Sequence, residues 1–140
     1  MDLIPFFGIG DVVFGQCRNT ISQNIGAPEK KIALKNIEKW SYRLLRIELS
    51  FSQAADFRLT KIASNHPYTL VLGFNPIGLK ETFLIQKFPN LQCTDNNSLE
   101  EPSLGLVFTL SRGAVSHVIM RPQKHEQTGE YMWPKTCDLS

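Results

Sequence analysis

The sequence predicts an α+β fold: an antiparallel sheet built from two helix-plus-β-meander repeats, with the helices packed on one face. Three observations lead there. The run Leu45-Arg46-Ile47-Glu48-Leu49-Ser50-Phe51 alternates apolar and polar residues, the mark of a strand with one buried and one wet face. A second apolar-rich run, Leu104-Gly105-Leu106-Val107-Phe108-Thr109-Leu110, stands at a comparable place in the second half. Each run follows a short amphipathic stretch, and a unit that cannot bury its apolar face alone must bury it against its copy. Repeat one is expected over about 8–66 and repeat two over about 67–122, with a tail over 123–140, all within one domain.

The first half opens with Gly8, Gly10 and Gly15 around the extended stretch Asp11 to Phe14, where glycine marks turns or close backbone approach. Arg18 to Ile25 is expected to be helical, because Ile21 and Ile25 share a face while Asn19, Ser22 and Gln23 point outward. Gly26 then caps the helix and Pro28 prevents its continuation. The polar, basic stretch from Lys30 to Lys39 has no single period and is read as a loop entering a strand at Trp40-Ser41-Tyr42. After Leu45 to Phe51, Phe57 to Ala63 reads as a returning antiparallel strand, and Asn65-His66-Pro67 ends the half.

In the second half Tyr68 to Leu72 is expected as a strand. Gly73 to Gly78 is a turn around Asn75-Pro76, and Leu79 to Lys87 is a helix burying Phe83, Leu84 and Phe88. Residues 89–103 are polar and read as a long exposed loop. Leu104 to Leu110 and Ala114 to Met120 form a hairpin around Ser111-Arg112-Gly113, where glycine suits a positive φ. The tail beyond Pro122 is polar except for Tyr131-Met132-Trp133.

Composition bounds the function. A chain of 140 residues with 42% hydrophobic and 20% charged residues can bury a real core, and lies far from the disordered regime. Net charge is only +2, and Lys and Arg are scattered among Asp and Glu with Lys30-Lys31 the one adjacent pair, so no nucleic-acid partner is expected. The N-terminus lacks the basic, apolar and small-residue regions of a secretory signal, and no apolar stretch reaches the ~20 residues that span a bilayer. The odd, widely spaced Cys17, Cys93 and Cys137 carry no C-x-x-C pair. They read as reduced thiols in a cytoplasmic protein, with Cys17 in core or helix-start packing.

Searches for chemistry end in isolated residues. His66, His117 and His125 have no metal-ligand spacing, and Gly8-Ile9-Gly10 with Gly15 does not match the G-x-G-x-x-G pattern. No metal, cofactor or catalytic residue is therefore expected. The aromatics and one acidic stretch are better candidates. Trp40 and Tyr42 share a parity and so one strand face, as do Tyr131 and Trp133. Such residues combine large area with a polar handle and dominate binding hot spots. Asp95, Glu100 and Glu101, in the polar loop, would complement a basic partner.

Phe14-Gly15, Ile25-Gly26-Ala27-Pro28 and Trp40-Ser41-Tyr42 together resemble the helix-plus-meander unit of the SmpA/BamE lipoproteins, duplicated in the β-lactamase inhibitor proteins. The second copy departs from it, with Lys87-Phe88-Pro89 in place of Gly-x-Pro. No lipobox cysteine stands near the start, against the lipoprotein branch. The resemblance implies a sheet with a concave face turned to another protein, and by analogy a bacterial immunity protein that neutralises a cognate toxin. In that reading the chain is a non-enzymatic inhibitor, a monomer or weak homodimer, that covers the toxin's active site with Trp40, Tyr42, Asp95, Glu100, Glu101, Tyr131 and Trp133. The alternatives are a small enzyme or ligand-binding domain using a cleft between the repeats, with His117 facing Glu48 or Arg46, and an assembly adaptor.

Overall fold

Alternating strands dominate the architecture. The computed structural model describes residues 1–95 and 97–134. In chain order they form β1 (Asp2–Ile4), β2 (Gly8–Ile9), β3 (Val12–Val13), α1 (Arg18–Ile25), β4 (Lys30–Ala33), β5 (Ile37–Tyr42), β6 (Ile47–Ser52) and β7 (Arg58–Ser64). There follow β8 (Leu70–Val71), α2 (Glu81–Lys87), β9 (Gln92–Asp95), β10 (Ser98–Glu101), β11 (Leu106–Ser111), β12 (Ala114–Met120), β13 (Gln123–Lys124) and β14 (Tyr131–Met132).

One large sheet runs in the order β4-β5-β6-β7-β12-β11-β10-β9, every neighbouring pair antiparallel. Two meanders therefore meet at its centre, where Ser64, Ala63 and Ile62 of β7 pair with Val118, Ile119 and Met120 of β12. A small sheet, β3-β2-β1-β8, joins the N-terminus to the middle of the chain through a parallel β1–β8 pair. A hairpin of β13 and β14 ends the described chain.

The core lies on one face of the large sheet. Trp40, Leu49, Phe51, Leu59, Ile62, Leu106, Phe108, Val118 and Met120 point into it, each no more than 3% exposed. Ile21 of α1, Leu84 of α2, and Leu3, Ile9, Val12 and Val71 of the small sheet close the other side. Within the sheet Trp40 meets Phe51 at 4.9 Å between ring centroids, and Phe88 at the end of α2 meets Phe108 of the sheet at 5.3 Å.

The α+β class and the pair of helix-plus-meander repeats are corrected by this arrangement. The fold is mainly β: strands make up 44% of the described residues, against two short α-helices among them. Those helices have eight and seven residues and each buries one side chain fully, too little to define a repeat. Strands replace the expected loops at β4, β9 and β10, and one continuous sheet replaces two units. The helix after Gly78 starts at Glu81, and Phe83 is exposed, so Leu84 and Phe88 alone carry its buried stripe.

Local expectations at α1 hold in detail. Gly26 takes φ +85 and its N–H donates to the Ser22 carbonyl at 2.9 Å, ending the helix where a side chain would be strained. The Tyr42 hydroxyl then donates to the Gly26 carbonyl at 2.8 Å, tying that end to β5. Cys17 sits at the helix start, with its Sγ 3.2 Å from Thr20 Oγ1. The Thr20 hydroxyl, followed by the backbone N–H groups of the first turn, holds the thiol below the usual cysteine range. Cys137 lies outside the described residues.

A candidate binding groove on the open sheet face

Strand pleating gives the large sheet a second face, and there the alternation delivers polar residues. Lys39 on β5 pairs with Ser50 on β6, and Ser50 pairs with Lys61 on β7. The three side chains therefore stand in one row across three strands, with neighbouring strands ~4.8 Å apart. Because Met120 pairs with Ile62, Arg121 continues this row beside Lys61. Ser50, in the middle, is only 4% exposed and leaves a saddle between the two lysines.

This row lies in a groove of about 920 Å³. Ile37, Ser52, Thr60 and Val107 line its floor. Phe6, Pro102 and Ser103 line it from the connecting loops, and Pro122, Lys124 and Tyr131 from the C-terminal hairpin. Phe6 adopts φ +63, unusual for a bulky residue, and its ring occupies the space a side chain on Gly105 would fill. The hairpin is pinned at Trp133, whose indole packs over Gly15 so closely that a Cβ there would lie 2.9 Å from the ring. Tyr131 stacks on Trp133 at 4.7 Å, and Lys124 Nζ lies 4.8 Å from the Tyr131 centroid.

Positive charge dominates one side of the groove. Lys39 and Lys61 belong to β5 and β7 and Arg121 directly follows β12, whereas Glu100 lies on β10 and Glu126 in the hairpin. Burial, then Arg121, then Lys39 push the Lys61 ammonium below the usual lysine range, and Glu48 on β6 offsets only part of this. Arg18–Glu38 is the one salt bridge among the described residues, so the row's cations have no such partner there.

The residues expected to bind a partner are dispersed. Trp40 and Tyr42 share a face, as their parity requires, but it is the core face, where they are 3% and 5% exposed. Trp40 is held by Phe51 and by its indole N–H donating to Glu38 at 2.7 Å; as exposed anchors both residues are corrected to core. Asp95 is exposed at the end of edge strand β9, where its carboxylate accepts the Asn97 N–H at 2.8 Å, away from the groove. Glu101 turns to the buried face at 5% exposure; it accepts a hydrogen bond from the Ser103 hydroxyl on one oxygen and none on the other among the described residues. Glu100 and Tyr131 do line the groove, and Trp133 supports Tyr131. Sequence reading missed Lys39, Lys61, Arg121 and Phe6. A signal existed in the shared parity of Lys39 with Ser41, and of Ser50 with Glu48 and Ser52, but only strand register lines them up.

His117 is exposed, with its Nδ1 3.0 Å from the Oγ of its neighbour Ser116. Neither it nor His66 or His125 lines the groove. Among the described residues no three His, Cys, Asp or Glu side chains converge as a metal site would require. No helix among them is long and apolar enough to cross a membrane.

No protein-family model matches the chain, and no curated protein does. Among solved structures it is similar to an extracellular protein containing a SCP domain from Bacillus anthracis str. Ames, at 12% identity and a TM-score of 0.48. The match covers 91% of this chain and 51% of that one, so the chain spans about half of its length. A TM-score of 0.48 is too low to transfer a fold or an activity. What corrects the resemblance to the SmpA/BamE and β-lactamase inhibitor proteins is the fold itself, one continuous antiparallel sheet with two short helices in place of two helix-plus-meander units.

Proposed function

We propose that the chain is a non-enzymatic protein-binding module that receives a segment of its partner in the open-face groove. The observation that carries this reading is the groove itself, a depression of about 920 Å³ on a sheet whose other face is fully committed to the core. Its lining is mixed, with Phe6, Ile37 and Val107 standing among lysines, hydroxyls and two carboxylates. The hairpin that walls it is docked by Trp133 rather than left free. Hydroxyls, cations and the carboxylates of Glu100 and Glu126 line it, groups able to hydrogen-bond the backbone and side chains of a seated segment. Neutralising a toxin is one form of such binding, in which the seated segment belongs to the toxin's active site. Among the described residues Cys17 and the exposed Cys93 are free thiols.

Site-specific photo-crosslinking tests the reading. A benzoylphenylalanine at Ser52, in the groove, should capture a stoichiometric partner protein. The same group at Leu44, 89% exposed in the β5–β6 turn, should not. Equal capture at both positions, or none at Ser52, removes the groove from the function.

A further inference from the structure

We propose that the row Lys39–Ser50–Lys61–Arg121 seats carboxylates of an acidic segment of the partner, an extended stretch in which Asp or Glu alternates with apolar residues. The inference rests on the protein-binding reading and adds the chemistry of what is bound. Register puts the lysines two strands apart, ~10 Å between backbones, with the small Ser50 between them. An extended chain spaces alternate side chains by ~7 Å, so successive carboxylates of such a segment reach successive cations of the row. Ile37, Phe6 and Tyr131 border the cations and offer apolar contact to the residues between.

Charge complementarity chooses this occupant over others. The row's cations are in no salt bridge with the described residues, and Lys61 carries an ammonium that burial and two like charges disfavour. A carboxylate arriving beside it relieves that repulsion and forms a charge-assisted hydrogen bond. Glu100 and Glu126 also line the groove and repel a uniform polyanion, and the chain's net charge of +2 lacks the basic excess of a nucleic-acid binder. A segment with a few carboxylates and apolar residues satisfies both halves of the groove.

The test uses a fluorescent short peptide alternating Glu and Leu, its Gln-Leu counterpart, a single-stranded RNA of similar length and inorganic phosphate. The Glu peptide should bind at least ~10-fold tighter than the Gln peptide. Lys61→Gln and Arg121→Gln should each weaken it about 10-fold, the value of one hydrogen bond to a charged group. Raised salt should weaken it further, and Lys80→Gln, outside the groove, should leave it unchanged. Binding should also raise the Lys61 pKa, followed by NMR at its side chain. In the unsubstituted protein, amide shifts on adding the Glu peptide should concentrate at Ser50, Lys61 and Arg121, a readout that needs no variant to fold.

The inference is overturned if the Glu peptide fails to bind, if Glu and Gln peptides bind equally, or if the row substitutions leave affinity intact. Tighter binding of RNA or phosphate through the same row also overturns it. Capture at Ser52 of a neutral or basic partner segment sinks this inference while the protein-binding reading stands. Peptide binding with no capture at Ser52 sinks that reading instead.

Discussion

Replacing Gly15 by alanine should detach the C-terminal hairpin from the body, and the size of the effect follows from a comparison between two glycines. Gly15 has φ +92 and Gly78 has φ +89, so an added Cβ meets nearly the same backbone strain at both, roughly 1–3 kcal/mol. Around Gly78 nothing lies within 4 Å of that Cβ, whereas at Gly15 it would lie 2.9 Å from Trp133 Cε3 and 3.0 Å from Cδ2. The indole, packed against the core and stacked on Tyr131, has to move. Losing part of the burial of one large aromatic side chain costs roughly 1–2 kcal/mol more. Gly15→Ala should therefore be less stable than Gly78→Ala by about 1–2 kcal/mol, or about 3–7 °C in Tm for a chain of this size. Thermal unfolding by circular dichroism measures the difference. A double-mutant cycle isolates the contact: in a Trp133→Ala background, Gly15→Ala should cost no more than Gly78→Ala does. Equal Tm values for the two glycine variants, or full additivity with Trp133→Ala, would show that Trp133 does not anchor the hairpin at Gly15. The reasoning about the groove wall would then fail with it.

Three further outcomes follow from the packing and charges. Phe108→Ala, which empties a site of 0% exposure against Phe88, should cost ~3–5 kcal/mol in chemical denaturation, whereas Phe83→Ala, at 54% exposure, should stay within ~0.5 kcal/mol. Lys61→Gln should raise Tm at neutral pH. Because the folded state lowers the Lys61 pKa, the unfolded chain binds more protons between that lowered value and the ordinary lysine value, so wild-type stability should gain with pH across this window and the advantage of the variant should vanish above it. Tyr42→Phe should lose about 1 kcal/mol with its bond to the Gly26 carbonyl. Burial and then Glu29 raise the Tyr42 pKa, so this residue's contribution is intact below the ordinary tyrosine pKa and is lost as pH climbs through the raised one, a slope opposite to that of Lys61.

Local signals in the sequence were legible where chemistry and geometry coincide within a few residues. The helix Arg18–Ile25 with its Gly26 stop, the strand Ala114–Met120 and the turn glycine Gly113 at φ +79 are each set by neighbours in sequence. Edge strands were not legible. All four residues of β9 are exposed, so no alternation marks it, and its pairing with β10 comes from backbone hydrogen bonds that any polar sequence can make. Parity put Trp40 and Tyr42 on one face of β5 without saying which, because an aromatic pair suits a core and a contact surface equally. The class is hidden for a related reason: short amphipathic stretches imply a helix layer, whereas Ile21 and Leu84 each plug one position in a core built from strands.

The groove shows why composition can hide a binding surface. Lys39, Lys61 and Arg121 are far apart in sequence and look like ordinary scatter at a net charge of +2. Antiparallel pairing brings them into a row, and the register that does so depends on turn geometry, which residue types only loosely specify. Such a row works against folding: burial first, and repulsion from Arg121 and Lys39 after it, depress the Lys61 pKa. Neutral side chains at these positions would make a more stable sheet, since none of the three cations is in a salt bridge with the described residues. Local rules broken with only partial compensation, here from Glu48, are what a binding site leaves in an otherwise consistent fold, where stability is given up for affinity. The same substitution therefore separates the two roles. Lys61→Gln should stabilise the free protein and weaken the Glu-peptide complex together, and a residue serving the fold alone would move both in one direction.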